Sequence, residues 1–341
     1  MAIDPSRPDQ VAPALLAYLS SRLSGPGPRY AEAPEPLGRG WETYTYAFRL
    51  DEAGLATDWA RPLVLRIYPS VLRGDDALRE AAIMRFAAER GYPVPRVFLV
   101  ESADGELGWP FLVLERAPGV PMLDRMAASP LAARRLIEAL ADAQVALHRL
   151  PVTGCPLPSE GPLVERQIAG FRERIGLLGV RGLEEALAWL EATKGVVLRE
   201  EASLCHNDFH PNNIVVDDEG GLVVIDWSGA ALGDRHHDVA ATLVLIRTAP
   251  SEPRSLLERA ITAAGRTVGV RRYLNRYRKQ LPLDAERLRY WEALQAFEWL
   301  VRISAMVSLG SAGFGLRADT GARIPPGQLD RVERYFWKRT R

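Results

Sequence analysis

One stretch constrains this chain more than any other: His206-Asn207-Asp208-Phe209-His210-Pro211-Asn212-Asn213. Two short apolar runs follow, Ile214-Val215-Val216 and Leu222-Val223-Val224-Ile225, and the second closes on Asp226-Trp227. Between them Asp217-Asp218-Glu219-Gly220-Gly221 is a turn, so the β-branched runs predict a hairpin. Such a hairpin carries Asp208 and Asn213 at its entry and Asp226 at its far end, close together in space. Two carboxylates and an amide converging on one point suit a divalent cation and a proton transfer. Oxygen donors of this kind favour Mg²⁺, which takes one or two carboxylates and completes its shell with water and phosphate oxygens.

The spacing His-x-Asp-x-x-x-x-Asn matches the catalytic loop of kinases, in which the Asp orients the acceptor hydroxyl and the Asn holds metal. From His206 to Asp226 the chain resembles the aminoglycoside phosphotransferase and choline kinase family, small-molecule relatives of the protein kinases. It has His-x-Asp in place of His-Arg-Asp, a second His and a Pro before the Asn, and Ile-Asp-Trp in place of Asp-Phe-Gly. The resemblance extends over residues 35 to 245 or so and thins beyond. It implies an α+β, protein-kinase-like fold: an N-terminal antiparallel β-sheet lobe with a helix C, and a larger, mostly helical C-terminal lobe. It also implies ATP (or GTP) as phosphoryl donor, Mg²⁺ held by Asn213 and Asp226, and Asp208 as catalytic base.

Composition sets the outer bounds. A length of 341 residues with 47% hydrophobic and 25% charged side chains is that of a globular protein with ample core. The formal net charge of zero gives no general attraction to nucleic acid or an anionic membrane. Met1-Ala2-Ile3-Asp4-Pro5 lacks the basic start and apolar core of a secretory signal, and no apolar run is long enough to span a bilayer. Cys155 and Cys205 are too few for a disulfide framework. A reducing cytoplasm is the expected compartment.

Taken in order, residues 1–30 open with a helix, predicted by Val11, Leu15, Leu16, Leu19 and Leu23 and broken by Gly25-Pro26-Gly27-Pro28. A leading helix packed on the first lobe is expected. Residues 31–116 read as the nucleotide-binding lobe. Gly38, Gly40 and Trp41 stand in a glycine-bearing turn ahead of an alternating strand, where backbone N–H groups can approach phosphates; they resemble the family's nucleotide loop, without its full glycine set. The third strand, Pro62 to Tyr68, carries Arg66 where the family has a phosphate-gripping lysine. No lysine precedes Lys194, and arginine can bind phosphate bidentately. Asp76 to Arg90 predicts a helix with Leu78, Ala82, Ile83, Phe86 and Ala87 on its apolar side. Glu80 falls where the family's helix-C glutamate pairs with the strand-three cation. Two further strands, Pro93 to Val100 and Pro110 to Glu115, complete a five-stranded sheet, as the family has. Glu115 and Ala117 then stand where the family binds adenine through main-chain groups, at the hinge between lobes.

Residues 117–341 read as the helical acceptor lobe. Ser129-Pro130 is a helix start, and Leu136, Leu140, Ala143, Leu147 and Leu150 form the stripe of the helix that follows. His148, near its end, is expected to pack. In Gly233-Asp234-Arg235-His236-His237-Asp238-Val239-Ala240, the family's pattern makes Asp238 a structural residue bonded to the catalytic-loop backbone, while His206 braces the loop. Gathering His206, His210, His236, His237 and Asp238 around zinc is the weaker reading, since zinc prefers closed Cys/His sets. Further on, Trp291, Gln295, Glu298 and Arg302 follow at i, i+4, i+7 and i+11. One expectation is the wall of a polar-substrate pocket; the plainer one is an Arg–Glu pair on a solvated face with Trp at its edge. Ser308 to Thr320 is Gly/Ser-rich and reads as a loop.

The sequence therefore predicts an ATP-dependent phosphotransferase that places a γ-phosphoryl group on a hydroxyl of a small molecule. Antibiotic, amino alcohol and sugar acceptors all remain open. The alternative is a nucleotide-binding pseudokinase, for which the Arg66 replacement is the only support. The missing Asp-Phe-Gly and Ala-Pro-Glu argue against a protein kinase. The sequence says nothing of oligomeric state.

Overall fold

The computed structural model describes residues 3–23, 27–38, 42–51, 57–69, 74–102, 107–157, 161–199, 201–249, 255–310 and 325–341. The chain divides into two compact units, with the division after Pro118. The predicted nucleotide-loop residues Gly40 and Trp41 lie outside the described residues, as does the Gly/Ser-rich run beyond Gly310.

The first unit begins with α1 (Pro8–Arg22), whose Pro8 sits in the first turn, where its missing N–H costs nothing. Val11, Leu15, Tyr18 and Leu19 are its buried face. They join the core of an antiparallel five-stranded sheet of order β1-β2-β3-β5-β4: β1 (Tyr30–Pro36), β2 (Tyr44–Leu50), β3 (Leu63–Ile67), β4 (Val97–Glu101) and β5 (Phe111–Glu115). Tyr18 meets Phe111 edge to face at 4.9 Å between ring centres. In β3, Leu63, Leu65 and Ile67 face that core, which sends Arg66 to the other side of the sheet.

That other side is covered by α2 (Gly74–Glu89), packed on β4 and β5. Its buried face differs from the predicted one. Ala77, Ala81, Ile83, Met84, Phe86 and Ala87 are buried, whereas Leu78 is 45% exposed. Glu80 is buried as well, bonded to Arg66 and Tyr68. The helix is rotated relative to its hydrophobic pattern because an ion pair occupies part of the inward face.

The second unit is mostly helical: α3 (Met122–Ala128), α4 (Pro130–His148), α5 (Leu163–Leu178), α6 (Glu184–Thr193), α7 (Arg235–Thr248), α8 (Leu256–Arg278), α9 (Ala285–Leu309) and α10 (Gln328–Thr340). Ser129 caps α4 by accepting the Ala132 amide, and Asp284 caps α9 by accepting those of Glu286 and Arg287. Two small sheets hold the functional loops. β7 (Ala202–Cys205) pairs antiparallel with β10 (Ala231–Asp234). The predicted hairpin forms from β8 (Ile214–Val216) and β9 (Leu222–Val224), with Ile214 opposite Val224. Asp217 closes its turn by accepting the amides of Glu219 and Gly221 through Oδ1.

A two-residue strand, β6 (Val120–Pro121), pairs on the outer side of β8 and was not legible in the sequence. Gly119 makes that approach possible. Its φ is +105°, and a Cβ there would stand 2.1 Å from the Val216 carbonyl oxygen. Gly119→Ala is expected to cost roughly 2 kcal/mol, read as a lower urea midpoint with an unchanged slope.

Candidate active site

The catalytic-loop motif leaves β7 at Cys205 and enters β8 through a single 3₁₀ turn, Pro211–Asn213. Between them the backbone turns sharply at Asn207, whose φ is +64°; Asp226, at the end of the hairpin, has φ +65°. These are the only non-glycine residues of the described chain in the left-handed region. Asparagine and aspartate tolerate it better than other side chains, at a cost of order 1–2 kcal/mol that surrounding bonds must offset.

Those bonds are dense. Asn207 donates its amide N–H to Asp238 Oδ1 and its Nδ2 to the Gly229 carbonyl at 2.9 Å, and its Oδ1 lies 2.8 Å from His237 Nδ1. His206 is fully buried; its Nε2 donates to the Ile225 carbonyl at 3.0 Å and its Nδ1 accepts the Asp208 amide at 3.3 Å. Burial pushes the His206 pKa down despite the nearby carboxylates of Asp238, Asp208 and Asp226. A neutral imidazole used once as donor and once as acceptor is a brace, not a proton carrier.

Asp208 itself is partly open to solvent, with 38% of its side chain exposed. One carboxylate oxygen, Oδ2, accepts Asn213 Nδ2 at 2.7 Å, and the other lies 3.3 Å from His210 Nε2. Burial opposes charge on His210, but the Asp208 carboxylate and its hydrogen bond outweigh it and raise the His210 pKa. Asn213 also donates Nδ2 to the Asp208 carbonyl at 3.0 Å. Spending Nδ2 twice presents the amide oxygen of Asn213 as its remaining polar atom. Asp226 accepts Ser228 Oγ at 3.1 Å, and its carboxylate acts electrostatically on both His206 and His210, as that of Asp208 does. The hairpin thus brings the three predicted oxygen-bearing side chains to one end. An amide oxygen and a carboxylate are a hard donor pair that fits Mg²⁺. Among the described residues no group of three or more His, Cys, Asp and Glu side chains has the geometry of a metal site.

Behind the loop, Asp238 is fully buried at the start of α7 and organises a polar cluster. Its Oδ2 accepts His148 Nε2 at 2.8 Å and Gln144 Nε2 at 3.0 Å, both from α4. His148 Nδ1 in turn meets Tyr277 Oη at 2.6 Å. Burial alone would raise the Asp238 pKa; the His148 and Gln144 bonds reverse this and hold it at about 2. Asp234, three residues before His237, accepts Trp291 Nε1 at 2.9 Å and pairs with His236 and Arg287. Its carboxyl is likewise held well below the usual range against the penalty of burial, chiefly by His236.

The predicted acceptor stripe on α9 is split by these contacts. Trp291 is fully buried against Asp234, and Gln295 is buried with Nε2 on His237. Neither forms a pocket wall, because each satisfies a buried polar partner from the α7 segment. Glu298 and Arg302 stay partly exposed and form an i, i+4 pair at 3.7 Å, with Arg302 over the Trp299 ring.

In the first unit, Arg66 Nη1 donates to Glu80 Oε1 at 3.0 Å, and Tyr68 Oη bonds the other oxygen of Glu80. Arg66 and Glu80 are both buried. Glu115 ends β5 with its side chain on Arg61 at 2.7 Å and its amide on the Arg96 carbonyl; Ala117 follows outside the sheet. Gly38 has φ +59°.

Residues 34–274 match the model of the phosphotransferase enzyme family, APH. The chain belongs to this family. It is 32% identical over 178 residues to the aminoglycoside 3'-phosphotransferase of Streptomyces fradiae, a stretch covering 48% of this chain and 63% of that enzyme, less than two thirds of its length. Phosphotransferases of known structure share the fold. A thermostable mutant of APH(4)-Ia, in ternary complex with AMP-PNP and hygromycin B, superposes with a TM-score of 0.62 at 18% identity, covering 95% of this chain and 98% of that one. The choline kinase LicA from Streptococcus pneumoniae gives 0.60 at 15% identity, over 96% and 99%. The fold is therefore the α+β, protein-kinase-like one, with an N-terminal antiparallel sheet and a larger helical part. No helix of the described residues is long and apolar enough to cross a membrane.

Proposed function

We propose that the protein transfers the γ-phosphoryl group of ATP to a hydroxyl of a small-molecule acceptor, with Asp208 as the base. The observation that carries this is the clamp on Asp208: Asn213 on one carboxylate oxygen, His210 on the other, and solvent access on the remaining side. A carboxylate so held can take the hydroxyl proton as the oxygen attacks phosphorus; the proton moves to Asp208 and the P–O bond to the leaving ADP breaks. Asn213 Oδ1 and the Asp226 carboxylate would hold Mg²⁺, which when bound neutralises charge on the phosphate oxygens. Arg66, kept in place by Glu80, would bind the donor's phosphates. Relatives that bind AMP-PNP and hygromycin B support nucleotide and hydroxylated acceptor alike.

An ATP-consumption assay with Mg²⁺ against aminoglycosides, amino alcohols and sugars tests the reading, with Asp208→Asn as the blank. Acceptor-dependent ADP release that vanishes in the blank is the expected result. ATP binding without turnover on any acceptor would favour the pseudokinase instead.

A further inference from the structure

The left-handed turn at Asn207 sets the direction in which Asp208 leaves the backbone, so whatever holds Asn207 aims the base. Two of its three bonds come from adjacent residues of α7. Asp238 takes the backbone N–H, and His237 Nδ1 meets the side-chain oxygen at 2.8 Å. An amide oxygen only accepts, so His237 Nδ1 must carry the proton. His237 is itself fixed from behind. It is 1% exposed, its ring stands edge-on to Trp291 at 4.9 Å, and its Nε2 lies against the side-chain amides of Gln167, from α5, and Gln295, from α9. Burial lowers its pKa against the pull of Glu298, Asp238 and Asp234. The Asn207 contact thus fixes a proton on Nδ1, and burial disfavours a second one on Nε2.

We propose that His237 is a positioning residue for Asp208, latching the Asn207 side chain so that the left-handed turn holds the catalytic carboxylate in its attack geometry. The proposal rests on the phosphotransfer reading for its kinetic consequence only. Asp238 restrains the backbone of the turn, and His237 restrains the one side chain whose conformational preference opposes it. Through His237 the loop is also tied to α5, by the half-buried Gln167, and to α9, by the buried Gln295. A purely packing histidine would need neither the Asn207 contact nor amide partners at its other nitrogen.

The distinguishing test uses glycine, which adopts a left-handed turn with no side chain to hold. His237→Phe keeps the ring volume and removes the latch. It is expected to lower kcat roughly 10- to 100-fold with the nucleotide KM little changed. In an Asn207→Gly background the same substitution is expected to cost no more than about twofold, since the turn no longer depends on a latch. Equal losses in both backgrounds, or full activity of His237→Phe alone, would overturn the proposal.

Two readouts need no turnover. Amide exchange at Asn207 and Asp208 should accelerate in His237→Phe and recover in the double variant; unchanged protection in His237→Phe counts against the latch. Nitrogen chemical shifts of His237 in the unmodified protein should report the neutral, Nδ1-protonated ring, and an Nε2-protonated or doubly protonated ring would sink the idea without any substitution. A protein inactive on every acceptor defeats the proposed function, while exchange and tautomer still decide the latch.

Discussion

Asp208→Asn is expected to lower acceptor-dependent turnover by about 10²- to 10⁴-fold, the usual contribution of a positioned general base. The substitution removes the proposed proton acceptor and the charge facing His210 while keeping the shape of the side chain. An asparagine oxygen can still receive Asn213 Nδ2, which now reaches Asp208 Oδ2 at 2.7 Å, so the loop keeps its principal clamp. Nucleotide binding, measured separately by titration, should change much less than kcat, because the proposed role of the side chain is on the acceptor hydroxyl. The amide also deprives His210 of its carboxylate partner. With the His210 pKa raised in the folded protein, the pair stabilises the fold fully below the unfolded histidine value. That contribution fades as pH rises through the raised one. The stability gap between the unmodified protein and Asp208→Asn should therefore close toward alkaline pH, in a series of urea unfolding curves. Near-normal turnover by the variant would place the base elsewhere.

What the sequence revealed and what it hid divide along a physical line. Asp208, Asn213 and Asp226 were legible because the chemistry fixes their types and their spacing within one hairpin, and the turn residues Asp217 to Gly221 announce that hairpin locally. The ion pair of Arg66 with Glu80 was anticipated from position along the chain, but not its effect on α2, where it displaces Leu78 to the surface. Trp291 and Gln295 were misjudged because their partners, Asp234 and His237, lie 57 and 58 residues away, and a polar residue satisfied at that range looks exposed in a linear reading. His148 is the same case, packed as expected yet bonded to Asp238 across 90 residues. The strands β6, β7 and β10 run two to four residues, too short for any alternation to register. The site's chemistry was local in sequence, and its scaffolding was not.

The second large effect is expected from that scaffolding. Asp238 is fully buried and receives three donors: the Asn207 amide, His148 Nε2 and Gln144 Nε2. Asp238→Leu would leave the Asn207 amide and His148 Nε2 without this acceptor and Gln144 Nε2 with Thr242 Oγ1 at 3.2 Å, and removing one member of a buried charged network typically costs about 3–5 kcal/mol. Asp238→Asn should cost less, since its oxygen can still accept the Asn207 amide while its NH₂ opposes two donors. The pH dependence identifies the origin of the loss. With its pKa held at about 2 against an ordinary 3.8, Asp238 contributes stability that is complete above the unfolded value. The contribution disappears as pH falls from there through the folded one. Urea unfolding curves should therefore show a large gap between the unmodified protein and either variant at neutral pH, narrowing below pH 4 or so. A gap that persists unchanged into acid would mean that the loss comes from packing and not from the carboxylate. Because Asp238 also fixes the backbone of Asn207, kcat should fall in both variants even where the fold survives, which separates bracing of the catalytic loop from general stabilisation of the helical unit.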